Sequence, residues 1–240
     1  TIERELSMRT VRKIIKNIFI VLLVACIGIC SYLIYQGYTM YKDAVNEVSI
    51  EEKVAEIRSK KQYTPVEELP QIYKDAIISV EDHRFYSHPG IDILATARAA
   101  IHDIQAMSLV EGGSTITQQL AKNLYFTQEK KFVRKIAEVF VAVEMERKYT
   151  KDEILELYVN SIYFGNNCYC VKDASMTYFN KLPKDMTDYE STLLAGIPNA
   201  PSAYSLNVNP TLAKQRQRQV IEKMVEFGHL TQKEANAIIK

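Results

Sequence analysis

The apolar and polar positions change their pattern three times along the chain. Residues 17–41 carry no charge, and positions 18–34 are nearly all apolar. As a helix this stretch is about 37 Å long, enough to cross a hydrocarbon core of ~30 Å. Residues 42–61 then show an amphipathic helical pattern, which Pro65 and Pro70 end. The pattern predicts four parts: a tail over 1–16, a transmembrane helix over 17–41, a juxtamembrane helix or stalk over 42–63 and a domain over 64–240.

The charges around the apolar stretch predict its orientation. Residues 1–16 carry five basic and two acidic side chains. By the positive-inside rule the N-terminus lies in the cytoplasm and residues 42–240 lie outside. A buried core helix is the alternative. A cleaved signal peptide is disfavoured, because the apolar run continues well past the lipoprotein-like box that ends at Cys26.

The remaining residues show helical periodicity and no alternating strand pattern. Capping-box signatures (Thr or Ser with Glu three residues later) begin at Thr150, Thr187 and Thr231, and Asp92 and Asn209 are further candidate caps. A hydrophobic content of 47% with 25% charged residues is typical of globular proteins and excludes a disordered chain. The net charge of +1 argues against nucleic acid as a partner. We therefore predict a mainly α domain on one membrane helix.

Two cysteines outside the apolar stretch stand two positions apart. A disulfide between Cys168 and Cys170 would be strained. Their spacing matches no zinc site, and no histidine stands at ligand spacing beside them. We expect neither a disulfide nor a metal there.

One candidate site follows the apolar run 76–80. Glu81 and Asp82 end this run, and two histidines and an arginine stand within the next six positions. A carboxylate at the edge of a buried element can have a raised pKa, as a general base needs. The alternative is a solvated helix end with ordinary ion pairs.

A second candidate is the segment 111–123, which reads EGGSTITQQLAKN. Two glycines and hydroxyl residues before a helix can hold an anion with backbone N–H groups. Gln118 and Lys122 are four residues apart, which predicts an amide and a cation on one helix face. The alternative is a plain capped helix after a loop.

The segment 134–138, which reads RKIAE, is the third candidate. It lies in a helix with almost no polar face, so Glu138 needs a partner, and Arg134 is four residues away. A functional site and an internal ion pair are both open. A fourth segment, 154–165, reads as an ordinary amphipathic helix with an aromatic end.

Taken in order, these segments resemble glycosyltransferase family 51, the peptidoglycan glycosyltransferases. The resemblance covers residues 64–225. The matching motifs are E-D-x-x-F-x-x-H-x-G over 81–90, G-G-S-T-I-T-Q-Q over 112–119, R-K-x-x-E over 134–138, the helix and Y-x-G over 154–165, and L-A-G-x-P-x-x-P-x-x-Y over 194–204. The chain departs from the family at Cys168 to Cys170, at Asn180 and at Leu206.

The resemblance implies a lysozyme-like helical domain with a smaller membrane-proximal jaw. It implies polymerisation of lipid II into β-1,4 glycan strands with inversion, the growing chain on undecaprenyl pyrophosphate being the donor. Glu81 would be the general base, supported by Asp82. Glu138 would assist departure of the pyrophosphate, directly or by organising cations. The phosphates and sugars would be held by Ser114, Thr115, Gln118, Gln119, Lys122, Lys130, Arg134 and Lys135.

The resemblance also implies surroundings and partners. These are the bacterial cell membrane, lipid II, the growing glycan chain, other cell-wall synthesis proteins and moenomycin-type inhibitors. No cofactor is certain, although a divalent cation (Mg²⁺ or Mn²⁺) could sit at the pyrophosphate. The rival interpretations are a membrane-anchored glycan hydrolase of lysozyme type, which also uses two carboxylates, and a non-catalytic cell-wall scaffold.

Overall fold

The computed structural model describes residues 2–98, 112–126 and 132–239, with side chains from residue 12 onward. The helices are α1 (Ile2–Glu47), α2 (Ile50–Arg58), α3 (Gln71–Glu81), α4 (Ile116–Tyr125), α5 (Phe132–Lys148), α6 (Lys151–Val159), α7 (Val171–Phe179), α8 (Asp188–Gly196), α9 (Pro201–Tyr204), α10 (Pro210–Glu226) and α11 (Gln232–Ile239). Short 3₁₀ helices cover Val66–Glu68, Phe85–Ser87, Pro183–Asp185 and Ile197–Asn199. The described residues contain no strand. The predicted mainly α fold is confirmed.

Helix α1 has the length and composition of a membrane span. Within its part Arg12–Glu47, a window of 18 residues has a mean hydropathy of 2.7, and none of this window is buried against the protein. The predicted span 17–41 lies within this one continuous helix. In water such an apolar surface would be unfavourable, so a bilayer is the environment that its composition suits.

The prediction of a single helix over 42–61 is wrong, because the structure has two helices there. Helix α1 runs to Glu47, and α2 begins at Ile50 after a cap on Ser49. The Ser49 hydroxyl accepts from the Glu52 N–H at 3.2 Å, and the Glu52 carboxylate accepts from the Ser49 N–H at 2.8 Å. This reciprocal cap satisfies amides that a helix start otherwise leaves unpaired, and it fixes the break. The signature of this cap, Ser49 with Glu52 three residues later, is present in the sequence. The amphipathic pattern continues across it and therefore does not reveal the break.

The hydrophobic core extends into the segment that we assigned to the stalk. Ile50, Val54 and Ile57 are almost fully buried in the same cluster as residues of α3 and α6. The predicted domain boundary at residue 64 stays a prediction, and the core itself begins well before it.

The end of the apolar helix packs along α5. Gly37 lies against Ile136 so closely that a Cβ at position 37 would overlap this side chain. Tyr41 stacks on Phe140 with ring centroids 5.6 Å apart, and its hydroxyl donates to Glu144. The membrane-side helix therefore contacts the helix that carries Arg134, Lys135 and Glu138.

The predicted caps are present where the structure can test them. Thr150 and Thr187 each form a complete capping box with the glutamate three residues later. The Asp92 carboxylate accepts from the Ala95 N–H at 2.7 Å, and the Asn209 side chain caps α10. Asn180 ends α7 with φ = 54°, a left-handed conformation that asparagine tolerates better than most residues. Cys168 and Cys170 are buried free thiols.

Candidate active site

Glu81 is the last residue of α3, directly after the buried run that the sequence predicts. Its side chain is half-buried, and its Oε2 accepts from Gln119 Nε2 at 2.8 Å. Its Oε1 is buried and finds no donor within the described part of the chain. Burial raises the pKa of Glu81, whereas the Gln119 hydrogen bond and two cations act in the opposite direction. A carboxylate with one free oxygen and a raised pKa has the properties of a general base.

Asp82, the neighbour of Glu81, has a different environment. Both of its oxygens lie within 3.0 Å of His88 Nε2, and Oδ2 also accepts from the Ile116 N–H at 3.1 Å. These contacts tie the end of α3 to the start of α4. Asp82 thus holds together the two helices that carry Glu81 and Gln119, and its supporting role in the chemistry stays a prediction.

Asp92 lies close to Asp82 and His88, and the ligand atoms of these three residues fall within 4.8 Å of one another. The Arg84 guanidinium donates to both oxygens of Asp92, one of these hydrogen bonds being 2.8 Å long. Burial acts to raise the pKa of Asp92, but Arg84 and the Ala95 amide outweigh it and hold this pKa at about 2. Because the carboxylates already accept from protein donors and an arginine occupies the place of a cation, this group does not fit a metal ion.

Helix α4 begins in a reciprocal cap that uses two of the predicted binding residues. The Thr115 N–H donates to Gln118 Oε1 at 3.0 Å, and the Gln118 N–H donates to Thr115 Oγ1 at 3.1 Å. The Thr115 hydroxyl also donates to the Gly90 carbonyl at 2.7 Å. Both side chains are buried. The cap turns Gln118 inward, and the neighbouring Gln119 lines the cleft together with Lys122.

Three cations surround Glu138. Its side chain is 1% exposed and bonds to Arg134 at 2.8 Å and to Lys135 at 3.0 Å. Lys135 also donates to Ser114 Oγ at 2.6 Å, which joins α5 to the glycine loop. Burial lowers the pKa of Lys122, the nearby Arg134 and Lys135 lower it further, and Glu138 opposes them. We call Lys122, Arg134 and Lys135 the cation cluster. Lys130, which we predicted to join it, lies outside the described residues.

Glu81 and Lys122 both line a cleft of about 660 Å³. Of the predicted site residues, those that line it are Glu81, Asp82, Ser114, Thr115, Gln119 and Lys122. Gln118, Arg134, Lys135 and Glu138 do not appear among its lining residues. Glu138 is therefore placed behind the cations rather than at the cleft surface, which favours the organising role over direct contact with substrate.

One wall of the cleft was not predicted from the sequence. Helix α10 contributes Arg216, Gln219 and Lys223 to it. No motif marked this helix. A signal was present nonetheless, because Arg216 stands at helical spacing between Ala213 and Val220, both of which are buried. Tyr158 of α6 was also missed, and its hydroxyl donates to Gln119 Oε1 at 3.2 Å.

The arrangement suits one type of chemistry. Glu81, whose buried Oε1 accepts from no donor among the described residues, lines the cleft together with the cation Lys122, and two more cations are held near Lys122. Such a site can deprotonate an acceptor hydroxyl while it stabilises an anionic leaving group.

The chain is similar to several known proteins. A family model described as transglycosylase matches residues 49–225. Penicillin-binding protein 1F of Bacillus subtilis is 48% identical over 170 residues, which are 71% of this chain and 24% of that protein. Penicillin-binding protein 1A of Neisseria flavescens is 44% identical over 181 residues, 75% of this chain and 23% of that protein. The chain thus spans about a quarter of the length of these curated relatives. A crystal structure of penicillin-binding protein 1A from Haemophilus influenzae aligns with a TM-score of 0.36 and 26% identity over 52% of this chain and 16% of that one.

Proposed function

Because this chain belongs to the transglycosylase family, we propose that it polymerises lipid II into β-1,4-linked peptidoglycan strands and releases undecaprenyl pyrophosphate. The donor is the growing lipid-linked chain, and the donor carbon is inverted. Lipid II supplies the acceptor 4-hydroxyl. The observation that carries the proposal is that Glu81, whose Oε1 accepts from no donor among the described residues, lines the same cleft as Lys122.

Each group has one task in this reaction. Glu81 takes the proton of the acceptor hydroxyl as the new glycosidic bond forms. The bond between the sugar and the pyrophosphate breaks on the opposite side, and the cation cluster stabilises the charge that develops there. Glu138 holds Arg134 and Lys135 in place through its two ion pairs. Ser114 and Gln119 orient Lys135 and Glu81 respectively.

The predicted Mg²⁺ or Mn²⁺ at the pyrophosphate stays a prediction. The described residues bring one set of three possible ligands together, and Arg84 and backbone amides already satisfy its carboxylates.

The setting of the reaction belongs to the proposal. Helix α1 anchors the chain in the bacterial cell membrane, with the N-terminus in the cytoplasm and the cleft outside. The polyprenyl chains of donor and acceptor lie in the same bilayer. Other cell-wall synthesis proteins and moenomycin-type inhibitors are further proposed partners.

A glycan hydrolase of lysozyme type is less compatible with this site. A hydrolase needs two carboxylates that flank one glycosidic bond. Here Glu138 is buried, paired with two cations and absent from the cleft lining, so it is not placed to be the second carboxylate. Asp82 and Asp92 line the cleft but are already engaged by His88 and Arg84.

The test is incubation of the purified chain in detergent with lipid II. We expect a polymer that lysozyme digests to disaccharide units. A second arm supplies preformed glycan strands without lipid II. Absence of polymer from a folded protein contradicts the proposal, and cleavage of the preformed strands in its place supports the hydrolase.

A further inference from the structure

Arg216 of α10 has no role in the proposed chemistry, although it lines the same cleft as Glu81. Its side chain is half-buried, and one of its terminal nitrogens donates to Gln219 Oε1 at 3.0 Å. Its Nε is buried and finds no acceptor among the described residues. A guanidinium that is only partly paired at a cleft wall can interact electrostatically with other groups in the cleft.

Gly196, the last residue of α8, explains how Arg216 reaches this position. Its backbone has φ = −79° and ψ = −20°, values that any residue adopts, so its conformation does not require glycine. A Cβ there would lie 2.9 Å from Arg216 Cγ and 3.3 Å from Val220 Cγ2. Glycine is thus needed for close approach: it leaves room for the aliphatic part of Arg216 between α8 and α10. This gives a physical reason for the glycine of the L-A-G motif.

The charges around Glu81 come from several elements. Asp82 follows it in the chain, the neutral Gln119 of α4 bonds to it, and Lys122 of α4 and Arg216 of α10 line the same cleft. The neutral Tyr158 of α6 bonds to Gln119. Burial and Asp82 favour the protonated acid, which cannot act as a base. Gln119, Arg216 and Lys122 favour the carboxylate, and the effect of Arg216 exceeds that of Lys122.

We propose that Arg216, held by its close packing on Gly196, keeps Glu81 ionised so that Glu81 can accept the proton of the acceptor hydroxyl. The inference rests on the proposed function. Arg216 acts through Glu81 and transfers no proton itself, so it is a positioning residue. The proton passes from the hydroxyl to Glu81, and the electron pair of the broken bond leaves with the pyrophosphate.

The test is the pH dependence of kcat/KM for Arg216→Gln. Without the guanidinium the pKa of Glu81 rises further, so the carboxylate is lost at a higher pH and the acid limb moves upwards. At a pH on that limb we expect a loss of roughly tenfold, with little loss at higher pH. Arg216→Lys should restore part of the shift. Gly196→Ala should move the limb in the same direction, because its methyl group displaces Arg216.

The matched control is Arg218→Gln, which removes the same charge from an exposed position two residues along α10. We expect it to leave the profile unchanged. An equal shift in this control, an unchanged profile in folded Arg216→Gln, or a uniform loss at every pH would each overturn the inference. An unchanged profile in folded Gly196→Ala would overturn the part that concerns the packing.

A second measurement does not depend on activity. The side-chain carboxyl carbons of ¹³C-labelled glutamate are titrated by NMR, and Glu81→Gln identifies the Glu81 signal. We expect this signal to titrate at higher pH in Arg216→Gln than in the unsubstituted chain. If the unsubstituted chain makes no polymer, the proposed function fails, and this titration still decides whether Arg216 acts on Glu81. An unshifted signal overturns the inference even where polymer forms.

Discussion

Removal of the Glu138 carboxylate tests whether this residue acts through its cations. In Glu138→Ala the buried carboxylate is lost, and its bonds to Arg134 at 2.8 Å and to Lys135 at 3.0 Å are lost with it. Arg134 is 14% exposed and Lys135 is 43% exposed. The bond to the buried arginine contributes about 1.5–3 kcal/mol, as is typical of a hydrogen bond between charged groups. The bond to the more exposed lysine contributes no more than about 1 kcal/mol because water screens it.

These contributions give an expected loss of about 1.5–4 kcal/mol in the free energy of unfolding. A chain of this length loses roughly 2–4 °C in Tm for each kcal/mol, so the Tm should fall by roughly 3–16 °C. The decisive assay is a double-mutant cycle of Glu138→Ala with Arg134→Ala, followed by Tm and by the rate of polymer formation. Because the two residues form one unit, the double variant should be little worse than the more damaged single variant in both measurements.

A control cycle uses Lys53 and Glu56, a surface pair in which Glu56 is exposed and Lys53 half-buried, with their charges 3.7 Å apart. We expect coupling below about 1 kcal/mol there. If the rate losses of Glu138→Ala and Arg134→Ala instead add, Glu138 acts on the substrate independently of Arg134, and the organising role is refuted.

Two further predictions concern the cation cluster and the membrane helix. Lys122→Ala should raise KM for lipid II and lower turnover. Lys122→Arg should restore only part of the activity, because the planar guanidinium of arginine does not replace a compact ammonium group at a phosphate site. Unchanged kinetics in Lys122→Ala would show that Lys122 is an ordinary helix lysine. A shortened chain that begins at residue 36 keeps the packing of Gly37 and Tyr41 against α5, so it should fold and polymerise lipid II in detergent. In liposomes it should lose rate, because the anchor that raises the effective concentration of substrate is missing. One that begins at residue 42 also loses the buried Tyr41 ring, which costs about 3–5 kcal/mol, and equal Tm values for the two shortened chains would contradict this packing.

Local signals in the sequence predicted much of the fold. Thr150 and Thr187 begin helices where their capping boxes stand, because a reciprocal cap depends only on residues three positions apart. The burial of the helix that ends at Glu81 was also predicted, because the residues before Glu81 form an apolar run. The break at Ser49 was missed because the amphipathic pattern continues across it.

What could not be predicted depends on contacts between distant parts of the chain. The inward turn of Gln118 is not of this kind, because its cap with Thr115 is a local signature (Thr with Gln three residues later) that was missed. Arg216 reaches the cleft because α10 packs on α8 at a glycine twenty residues earlier. Neither helical periodicity nor charge along the chain contains this information.

The most direct test of the account is the rate of lipid II polymerisation by Glu81→Gln, compared with Glu68→Gln. Both variants remove one carboxylate, but Glu68 is exposed on a 3₁₀ helix away from the lining of the cleft. Loss of a general base typically lowers a rate by about 10²–10⁴-fold. We predict a loss of this size for Glu81→Gln with its fold intact, and an unchanged rate for Glu68→Gln. A folded Glu81→Gln protein that polymerises lipid II at a near-normal rate would contradict the central claim that Glu81 is the base.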